Sequence, residues 1–354
     1  MKMVMRWFGP RDDTVPLRYI RQIPGVSGVV TGLVRKLPGA VWSAEEIRDM
    51  RRVIEAEGLE SEVIESVNVH EDIKLGADTR DGHIDAYIET MKNLKTVGVK
   101  VICYNFMPVL DWARSRLYHK LPDGTETMFF SAGFIRNTTP RELAERYAEE
   151  AGGVALPGWE PERLAYLEDT IGRYAGLSED QYWENARYFL DRVIPRAEEL
   201  DIKMAIHPDD PPTPVFGLPR MINSAAGIRR FLALRPSTHN GLTLCTGSLG
   251  AEPANDLPAI VREFGGHIFF AHLRNIQRLD GGDLYESAHP TACGSLDMRE
   301  IVKALREVGF DGYIRPDHGR MIWDERGRPG YGLYDRALGV AYLLGLWEGL
   351  ADSR

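Results

Sequence analysis

Four short apolar runs in the later part of the chain each end on a residue that can bind a metal ion. The four residues are His207, Cys245, His272 and Asp317, and a turn rich in glycine or proline follows each of them. Runs of three to five β-prone residues bounded by such turns predict strands. If these strands are parallel neighbours, their carboxyl ends meet at one edge of the sheet and the four side chains converge. The sequence therefore predicts a cation site at that edge.

The rest of the chain alternates strands with helices. A capping box at Ser43–Glu46 predicts the start of one helix. The eight predicted strands lie at 3–8, 25–30, 62–67 and 99–106 and near 203, 241, 268 and 311. Eight strand–helix units favour a (β/α)8 TIM barrel over an open sheet, and no glycine-rich dinucleotide fingerprint follows any strand.

The alternation stops for about 70 residues after the fourth strand. Residues 118–130 predict a β-hairpin around Pro122-Asp123-Gly124, and residues 140–151 and 160–175 predict helices. We interpret the whole chain, 1–354, as a single TIM-barrel catalytic domain with a helical and hairpin insertion at about 115–175. Long insertions usually form lids or subunit contacts, so we expect a lid or an interface here, and a homo-oligomer, dimeric or larger.

Composition excludes several classes of protein. A formal net charge of −9 argues against a nucleic-acid partner. The three cysteines, Cys103, Cys245 and Cys293, are far apart, which argues against a disulfide framework. No apolar run approaches the ~20 residues that span a bilayer, and the N-terminus lacks a secretory signal pattern. We therefore expect a cytoplasmic protein with a small-molecule partner and no membrane partner.

The four ligand types restrict the metal. Imidazole, thiolate and carboxylate together suit Mn, Fe, Co, Ni or Zn better than Ca or Mg. The thiolate favours zinc or iron, whereas open positions for a hydroxyl-rich substrate also admit manganese, so the residues leave the metal open. Taken singly, each residue is more typical of a loop hydrogen bond or a small buried hydrophobe. Their shared position at the ends of successive strands favours a metal site.

Acid/base and substrate-binding candidates surround these ligands. His318 follows Asp317, and imidazole titrates near neutrality, as a general acid or base requires. Tyr331 lies between two glycines in a loop that we predict covers the site, whereas we predict that Tyr334 packs against the final helix at 337–348. Polar and aromatic residues near strand ends are candidates for binding a carboxylate substrate, although arginines there also serve solubility. These candidates are Arg6, Trp7, Arg274, Asn275, Arg315 and Arg320.

With these residues in place, the chain resembles the mannonate dehydratase family, which has a xylose-isomerase-like barrel, along essentially its whole length. The matching strings are Met5-Arg-Trp-Phe-Gly-Pro10, Trp42-Ser43, Ile206-His-Pro-Asp-Asp-Pro-Pro212, Leu244-Cys-Thr-Gly-Ser248, His272-Leu-Arg-Asn275 and Arg315-Pro-Asp-His-Gly-Arg320.

The resemblance implies a hydro-lyase that converts D-mannonate to 2-keto-3-deoxy-D-gluconate and water in hexuronate (glucuronate) catabolism. It also implies a divalent metal, usually Mn²⁺, with Fe²⁺ or another divalent ion as alternatives. The family's ligands fall on the four strand-end residues His207, Cys245, His272 and Asp317. Its acid and base match His318 and Tyr331, without indicating which residue has which role.

Three other functions compete with this interpretation. An aldose–ketose isomerase on the same fold would favour a carboxylate-rich, often two-metal site. A metal-dependent phosphoesterase acting on DNA would need a basic face, which the net charge of −9 disfavours. A non-enzymatic sugar-acid-binding protein would not need an acid/base candidate beside four ligands.

Overall fold

The computed structural model describes residues 1–151 and 167–351, and these residues form twelve strands and thirteen α-helices. The strands are β1 (Lys2–Arg6), β2 (Val26–Thr31), β3 (Glu60–Glu65), β4 (Val101–Tyr104), β5 (Arg116–Lys120), β6 (Glu126–Phe130), β7 (Lys203–Ile206), β8 (Asn240–Cys245), β9 (Ile268–His272), β10 (Ile276–Arg278), β11 (Leu284–Glu286) and β12 (Tyr313–Arg315). The helices are α1 (Leu17–Arg21), α2 (Ala44–Ala56), α3 (Glu71–Leu75), α4 (Arg80–Lys95), α5 (Ala132–Arg136), α6 (Pro140–Ala151), α7 (Leu167–Tyr174), α8 (Glu179–Leu200), α9 (Ala225–Leu234), α10 (Thr246–Leu249), α11 (Leu257–Phe264), α12 (Met298–Glu307) and α13 (Tyr334–Gly349).

Eight strands close into a barrel in the order β1-β12-β9-β8-β7-β4-β3-β2. Every pair around the barrel is parallel, so all eight carboxyl ends open at one mouth. The predicted (β/α)8 barrel is confirmed. Because β7, β8, β9 and β12 are consecutive around the barrel, the residues at or just beyond their ends lie side by side.

Both faces of the barrel strands are buried. Val4 belongs to a small cluster contributed by barrel strands alone, whereas Met3 and Met5 belong to the larger core that includes the helices. Successive side chains of a strand point to opposite faces, so a strand buried on both faces has a continuous apolar sequence instead of an alternating one. All six residues of β8 are buried in this way.

Helix starts follow the local sequence closely. Ser43 Oγ accepts a hydrogen bond from the Glu46 backbone amide at 3.3 Å, and Glu46 Oε2 accepts from the Ser43 amide at 3.2 Å. This is the predicted capping box of α2, and it satisfies two amides that the helix itself leaves unpaired. No helix in the described part of the chain is both long and apolar enough to cross a membrane.

The insertion after β4 joins a second sheet beside the barrel mouth. The predicted hairpin is present as β5 and β6, and its turn contains Gly124 at φ +87°. The sheet has the order β10-β11-β6-β5, and its other two strands come from the loop after β9. β10 and β11 were not predicted, because three-residue strands carry no periodic pattern. Pairing between β11 and β6 therefore connects two segments that are far apart in sequence.

Three further differences concern helices. The segment 68–80, whose polar sequence predicts a loop, contains α3, and the start of this helix is capped by His70 Nδ1, which accepts from the Asp72 amide at 3.1 Å. The final helix α13 begins at Tyr334, three residues earlier than predicted. Of the helix predicted at 160–175, α7 covers the later part, and residues 160–166 lie outside the described residues.

Candidate functional site

A cavity opens at the carboxyl ends of the barrel strands. Its wall combines residues at strand ends with residues of the insertion and of the loop between β12 and α13. The polar and titratable lining residues include Arg6, Glu65, Asn105, Asp111, His207, Asp210, Arg315, Asp317, His318 and Tyr331. In a TIM barrel this end carries the active site.

The predicted metal ligands meet beside this cavity, whose wall includes two of them, His207 and Asp317. His207, Cys245 and His272 each offer a ligand atom, and these three atoms lie within 4.8 Å of one another. Asp317 joins them, since its Oδ2 lies 3.6 Å from Cys245 Sγ and its Oδ1 lies 3.7 Å from His272 Nδ1. The structure brings all four residues together.

The contacts of His207 and His272 indicate which ring nitrogen of each faces the other metal-ligand residues. His207 Nδ1 lies 2.7 Å from the Pro208 carbonyl, which only accepts, so Nδ1 carries the proton and Nε2 keeps its lone pair. His272 Nε2 lies 3.5 Å from Glu65 Oε2, and neither atom has a hydrogen-bond partner among the described residues. A proton on His272 Nε2 leaves the lone pair on Nδ1.

The nitrogens His207 Nε2 and His272 Nδ1 lie close together, 3.1 Å apart. Arg315 Nη2 also reaches His272 Nδ1, at 3.2 Å. Two imidazole nitrogens, a thiol and a carboxylate in one small space form a donor set that a cation can hold together. Second-shell acceptors that fix the tautomer are usual for metal-binding histidines. The donor set therefore fits a divalent transition-metal ion.

A second group of potential ligands shares His272. Glu65, Cys103 and His272 also place ligand atoms within 4.8 Å of one another. However, Cys103 belongs to the apolar cluster inside the barrel, and burial raises the pKa of its thiol well above the ordinary value. Thiolates bind metals and thiols do not. The set that contains Cys245 therefore fits a metal better than the set that contains Cys103.

The backbone conformation at Asp317 lets two adjacent residues reach different parts of the site, Asp317 the metal-ligand group and His318 the cavity wall. Asp317 adopts φ +59°, in the left-handed region that side chains other than glycine rarely occupy. The turn directs the Asp317 carboxylate to the metal-ligand group, while His318 Nε2 stays within 3.9 Å of Asp317 Oδ1. Such local strain is concentrated at functional sites.

His318 and Tyr331 form a hydrogen-bonded pair in the cavity wall. His318 Nε2 lies 3.0 Å from the Tyr331 hydroxyl. Burial raises the pKa of Tyr331 to about 12, so the phenol keeps its proton at neutral pH. Gly330 precedes it at φ +76°, where a Cβ would lie 2.6 Å from Met128 Cε and 3.3 Å from His318 Cγ. Only glycine allows the loop to approach this closely.

A buried cluster of charges lies behind His318. Arg114 and Arg274 each contact both Asp210 and Glu286, at distances from 2.7 to 2.8 Å. Burial raises the pKa of Glu286, but the two guanidinium groups outweigh it and lower that pKa to about 2. The pKa of Asp210 is likewise lowered by Arg114 and Arg274 despite its burial. The cluster is therefore fully ionised at neutral pH.

We expect Arg114→Met to lower the free energy of unfolding by about 3 kcal/mol, because it leaves buried carboxylates short of a cation. Chemical denaturation at neutral pH measures this change. Arg116→Met is the matched control, since Arg116 is 54% exposed and pairs with Glu150 at the surface. Its expected cost is below about 1 kcal/mol. Equal costs for the two variants would contradict a stabilising role for the buried cluster.

The predicted substrate-binding residues divide into two groups. Among the described residues, the cavity wall includes Arg6 and Arg315 but not Trp7, Arg274, Asn275 or Arg320. Trp7 follows Arg6 by one residue, so its side chain takes the opposite direction, and it packs in the core. Arg274 is occupied by three buried carboxylates, those of Asp210, Glu286 and Asp317.

Asn275 and Arg320 stabilise neighbouring loops instead. Asn275 Oδ1 accepts from the amides of Ile276 and Leu296 at 2.9 and 3.1 Å. Arg320 Nη2 pairs with Asp335 Oδ1 at 3.1 Å, outside the cavity. Their proximity to strand ends in the sequence does not bring either side chain to the cavity wall.

The residues of the site that were missed as candidates include Glu65, Arg114, Asp210 and Glu286. Glu65 ends β3 and the strand pattern contained the signal for it. Asp210 lies three residues after His207, within the stretch 206–212 that resembles the family. Arg114 and Glu286 have no local signal, because their contact joins residues that are far apart in sequence.

Comparisons with known proteins indicate the family of this chain. A family model described as D-mannonate dehydratase (UxuA) matches residues 1–354. A mannonate dehydratase from Thermotoga neapolitana is 55% identical over 356 residues, covering 100% of this chain and 99% of that protein. The crystal structure of mannonate dehydratase from Streptococcus suis serotype 2 is 41% identical, with a TM-score of 0.89 and coverage of 99% of this chain and 95% of that one.

A more distant structure supports the fold alone. The xylose isomerase-like TIM barrel protein from Mycobacterium smegmatis, in complex with magnesium, is 15% identical with a TM-score of 0.55, covering 99% of this chain and 98% of that one. The match of the family model along the whole chain and the identity with curated relatives agree on a single family. The chain belongs to the D-mannonate dehydratase family.

Proposed function

We propose that this chain removes water from D-mannonate in the cavity at the barrel mouth and releases 2-keto-3-deoxy-D-gluconate, a reaction of hexuronate breakdown. The observation that carries the proposal is the His318–Tyr331 pair, whose facing atoms lie 3.0 Å apart in the cavity wall next to the metal-ligand group. Dehydration of a hydroxy acid needs one group to take a proton and another to give one. A purely sugar-acid-binding protein would need neither.

The divalent metal would be held by His207, Cys245, His272 and Asp317. We propose Mn²⁺, with Fe²⁺ or another divalent ion as alternatives. A bound cation supplies Lewis-acid stabilisation for the negative charge that develops on the substrate carboxylate. The close approach of His207 Nε2 and His272 Nδ1, 3.1 Å apart, supports this choice of ligands.

His318 and Tyr331 would then divide the proton transfers. His318 Nε2 takes the proton from C2, and the electron pair of that C–H bond moves first onto the carboxylate and then forms the C2–C3 double bond as the C3 hydroxyl leaves. Tyr331 donates its phenolic proton to the C3 hydroxyl, so that the C3–O bond breaks and water leaves. The enol then becomes the 2-keto acid when C3 takes a proton from solvent and the C2 hydroxyl loses its own. The raised pKa of Tyr331, about 12, supports its role as the proton donor.

The contact between the two residues also restores the resting state. After elimination, His318 is an imidazolium and Tyr331 a phenolate. Because the two atoms are 3.0 Å apart in the resting pair, one proton transfer from Nε2 to the phenolate oxygen returns both groups to their starting forms. No other residue is needed for this step.

Arginines of the wall would orient the substrate. Arg315 pairs with Glu65 at 3.0 Å and with Asp317 at 2.7 Å through Nη2. Its Nε and Nη1 are buried without a hydrogen-bond partner among the described residues, which leaves donors for a carboxylate or hydroxyl oxygen. Arg6 donates to the Trp7 and Val30 carbonyls through Nη1 and forms part of the same wall.

We expect Tyr331→Phe to lower kcat for D-mannonate about 100-fold while solvent deuterium still enters C2 of the substrate, because His318 still takes that proton. Proton NMR of substrate recovered from D₂O measures this exchange. Tyr334→Phe is the matched control, since Tyr334 is 43% exposed at the start of α13 and does not line the cavity. Loss of exchange in Tyr331→Phe, with exchange retained in His318→Asn, would reverse the two roles.

We propose further that the whole chain, 1–354, acts as one catalytic domain and that the insertion at about 115–175 contributes to the mouth of the site. Met128 of β6 lines the cavity, which supports this role for the hairpin. The cytoplasmic location and the homo-oligomer remain predictions from the sequence.

A further inference from the structure

We infer that Glu286 is a positioning residue for His318, and that the β5–β6 hairpin of the insertion holds Glu286 in place. This inference rests on the proposed function, in which His318 takes the C2 proton. Glu286 does not line the cavity itself; it is 1% exposed and lies behind His318 at the end of β11.

Glu286 contacts the nitrogen of His318 that faces away from Tyr331. Its Oε1 lies 3.2 Å from His318 Nδ1. Arg114 Nη2 and Arg274 Nη1 each lie 2.8 Å from the same oxygen, and Arg274 Nη1 is also in contact with His318 Nδ1. An ionised carboxylate only accepts hydrogen bonds and a guanidinium only donates them. Because Arg274 Nη1 already donates to Oε1, we assign the imidazole proton to Nδ1, where it faces the same oxygen.

This tautomer is the one that proton abstraction requires. With the proton on Nδ1, His318 Nε2 has a free lone pair, which accepts the hydrogen bond of the Tyr331 hydroxyl in the resting site. Without the carboxylate, the alternative tautomer with the proton on Nε2 becomes populated, and it cannot take a proton from C2. The ring also loses an anchor against rotation. Glu286 therefore acts through His318, much as an orienting carboxylate acts in other acid/base dyads.

The insertion fixes the backbone of Glu286. β11 pairs with β6 through Leu284–Phe130 and Tyr285–Phe129. Thr127 Oγ1, a buried hydroxyl of β6, donates to the Glu286 carbonyl at 2.7 Å. A three-residue strand has little stability alone, so this pairing determines where the Glu286 side chain lies.

The same hairpin holds the loop that carries Tyr331. The amides and carbonyls of Glu126 and Met321 exchange two hydrogen bonds, at 2.7 and 3.1 Å. Tyr118 also donates its hydroxyl proton to the Gly327 carbonyl at 2.7 Å. The hairpin thus contacts both sides of the acid/base pair, which gives the insertion a function within a single subunit.

The test is a double-mutant cycle on the metal-loaded enzyme with D-mannonate. We expect Glu286→Gln to lower kcat at least about 10-fold with KM and bound metal little changed, and to cause no further loss in a His318→Asn background. Glu150→Gln is the matched control, because Glu150 accepts from the amide of Leu117 on β5, the strand of the hairpin that does not pair with β11, and does not contact His318. Losses that multiply in the double variant would overturn the inference.

Thr127→Val provides a milder variant if Glu286→Gln fails to fold. It removes one hydrogen bond to the Glu286 backbone and keeps the side chain's shape, and we expect a kcat loss of a few-fold that also disappears in the His318→Asn background. A Thr127→Val loss that persists in that background would count against the role of the hairpin.

A readout independent of turnover separates this inference from the proposed function. In protein labelled with ¹⁵N-histidine, the His318 signals, identified by their absence from His318→Asn, should show the proton on Nδ1, and Glu286→Gln should shift the ring toward the other tautomer. A wild-type ring protonated on Nε2 would overturn the inference even in an active enzyme. Correct tautomers without turnover of D-mannonate would instead contradict the proposed function.

Discussion

His318→Asn is expected to lower kcat for D-mannonate by about 1,000-fold or more, with bound metal and unfolding free energy close to those of the unchanged protein. General acid–base catalysis contributes roughly 10²- to 10⁴-fold, and in this site His318 both takes the C2 proton and returns one to Tyr331. Asparagine keeps a polar side chain near Glu286 but has no group that takes a proton near neutral pH. Steady-state kinetics with detection of the 2-keto acid measures the loss.

A matched substitution separates chemistry from folding. His239 lies at the opposite end of β8 from Cys245, and its Nε2 contacts Asp201 at the surface, 3.1 Å away. We expect His239→Asn to keep full activity. If His318→Asn retained more than about a tenth of the activity, general acid–base catalysis by this residue would be excluded.

Cys245→Ser is expected to abolish metal binding at micromolar free metal and with it the turnover of D-mannonate. A serine hydroxyl is neutral at neutral pH, so the site loses an anionic ligand while the volume changes little. Metal content after dialysis against buffered Mn²⁺ measures binding directly, without reference to activity.

Two further cysteine variants sharpen this test. Cys293 is an exposed free thiol, so Cys293→Ser should keep both metal and activity. Cys103→Ser distinguishes the two overlapping ligand groups, because Cys103 belongs only to the group with Glu65. Metal retained in Cys103→Ser and lost in Cys245→Ser supports the proposed ligands. The reverse pattern would indicate that the metal is bound by the group of Glu65, Cys103 and His272.

The barrel and the meeting of the four ligands were predictable because both depend on local patterns. Each barrel strand is a short apolar run between turns, and parallel strands place their carboxyl ends at one mouth. Once β7, β8, β9 and β12 are neighbours, the convergence of Cys245 and Asp317 follows from their places at and just beyond strand ends. The proximity of His318 to the same cavity follows from its place next to Asp317.

Side-chain direction and pairing between distant segments were not predictable in the same way. Arg6 and Trp7 are adjacent, yet one lines the cavity and the other packs in the core, and the sequence pattern near a strand end does not say which. Arg114 and Glu286 are 172 residues apart in sequence, and Glu286 lies at the end of a three-residue strand that pairs with β6. Nothing local to either residue indicates that the two side chains contact each other.

The fold alone does not decide between the competing functions. The aldose–ketose isomerase alternative is not favoured, because the curated relatives at 51–55% identity are named mannonate dehydratases. The likeness to a xylose isomerase-like barrel protein, at 15% identity, concerns the fold alone. Function in this fold therefore has to be argued from the residues of the site.

Turnover of D-mannonate by metal-free protein, measured with and without added Mn²⁺, tests the central claim most directly. The account predicts no 2-keto acid without metal, product on addition of Mn²⁺, and no such restoration in Cys245→Ser. Product formed at the full rate by rigorously metal-free protein, or no product with any divalent ion, would contradict it.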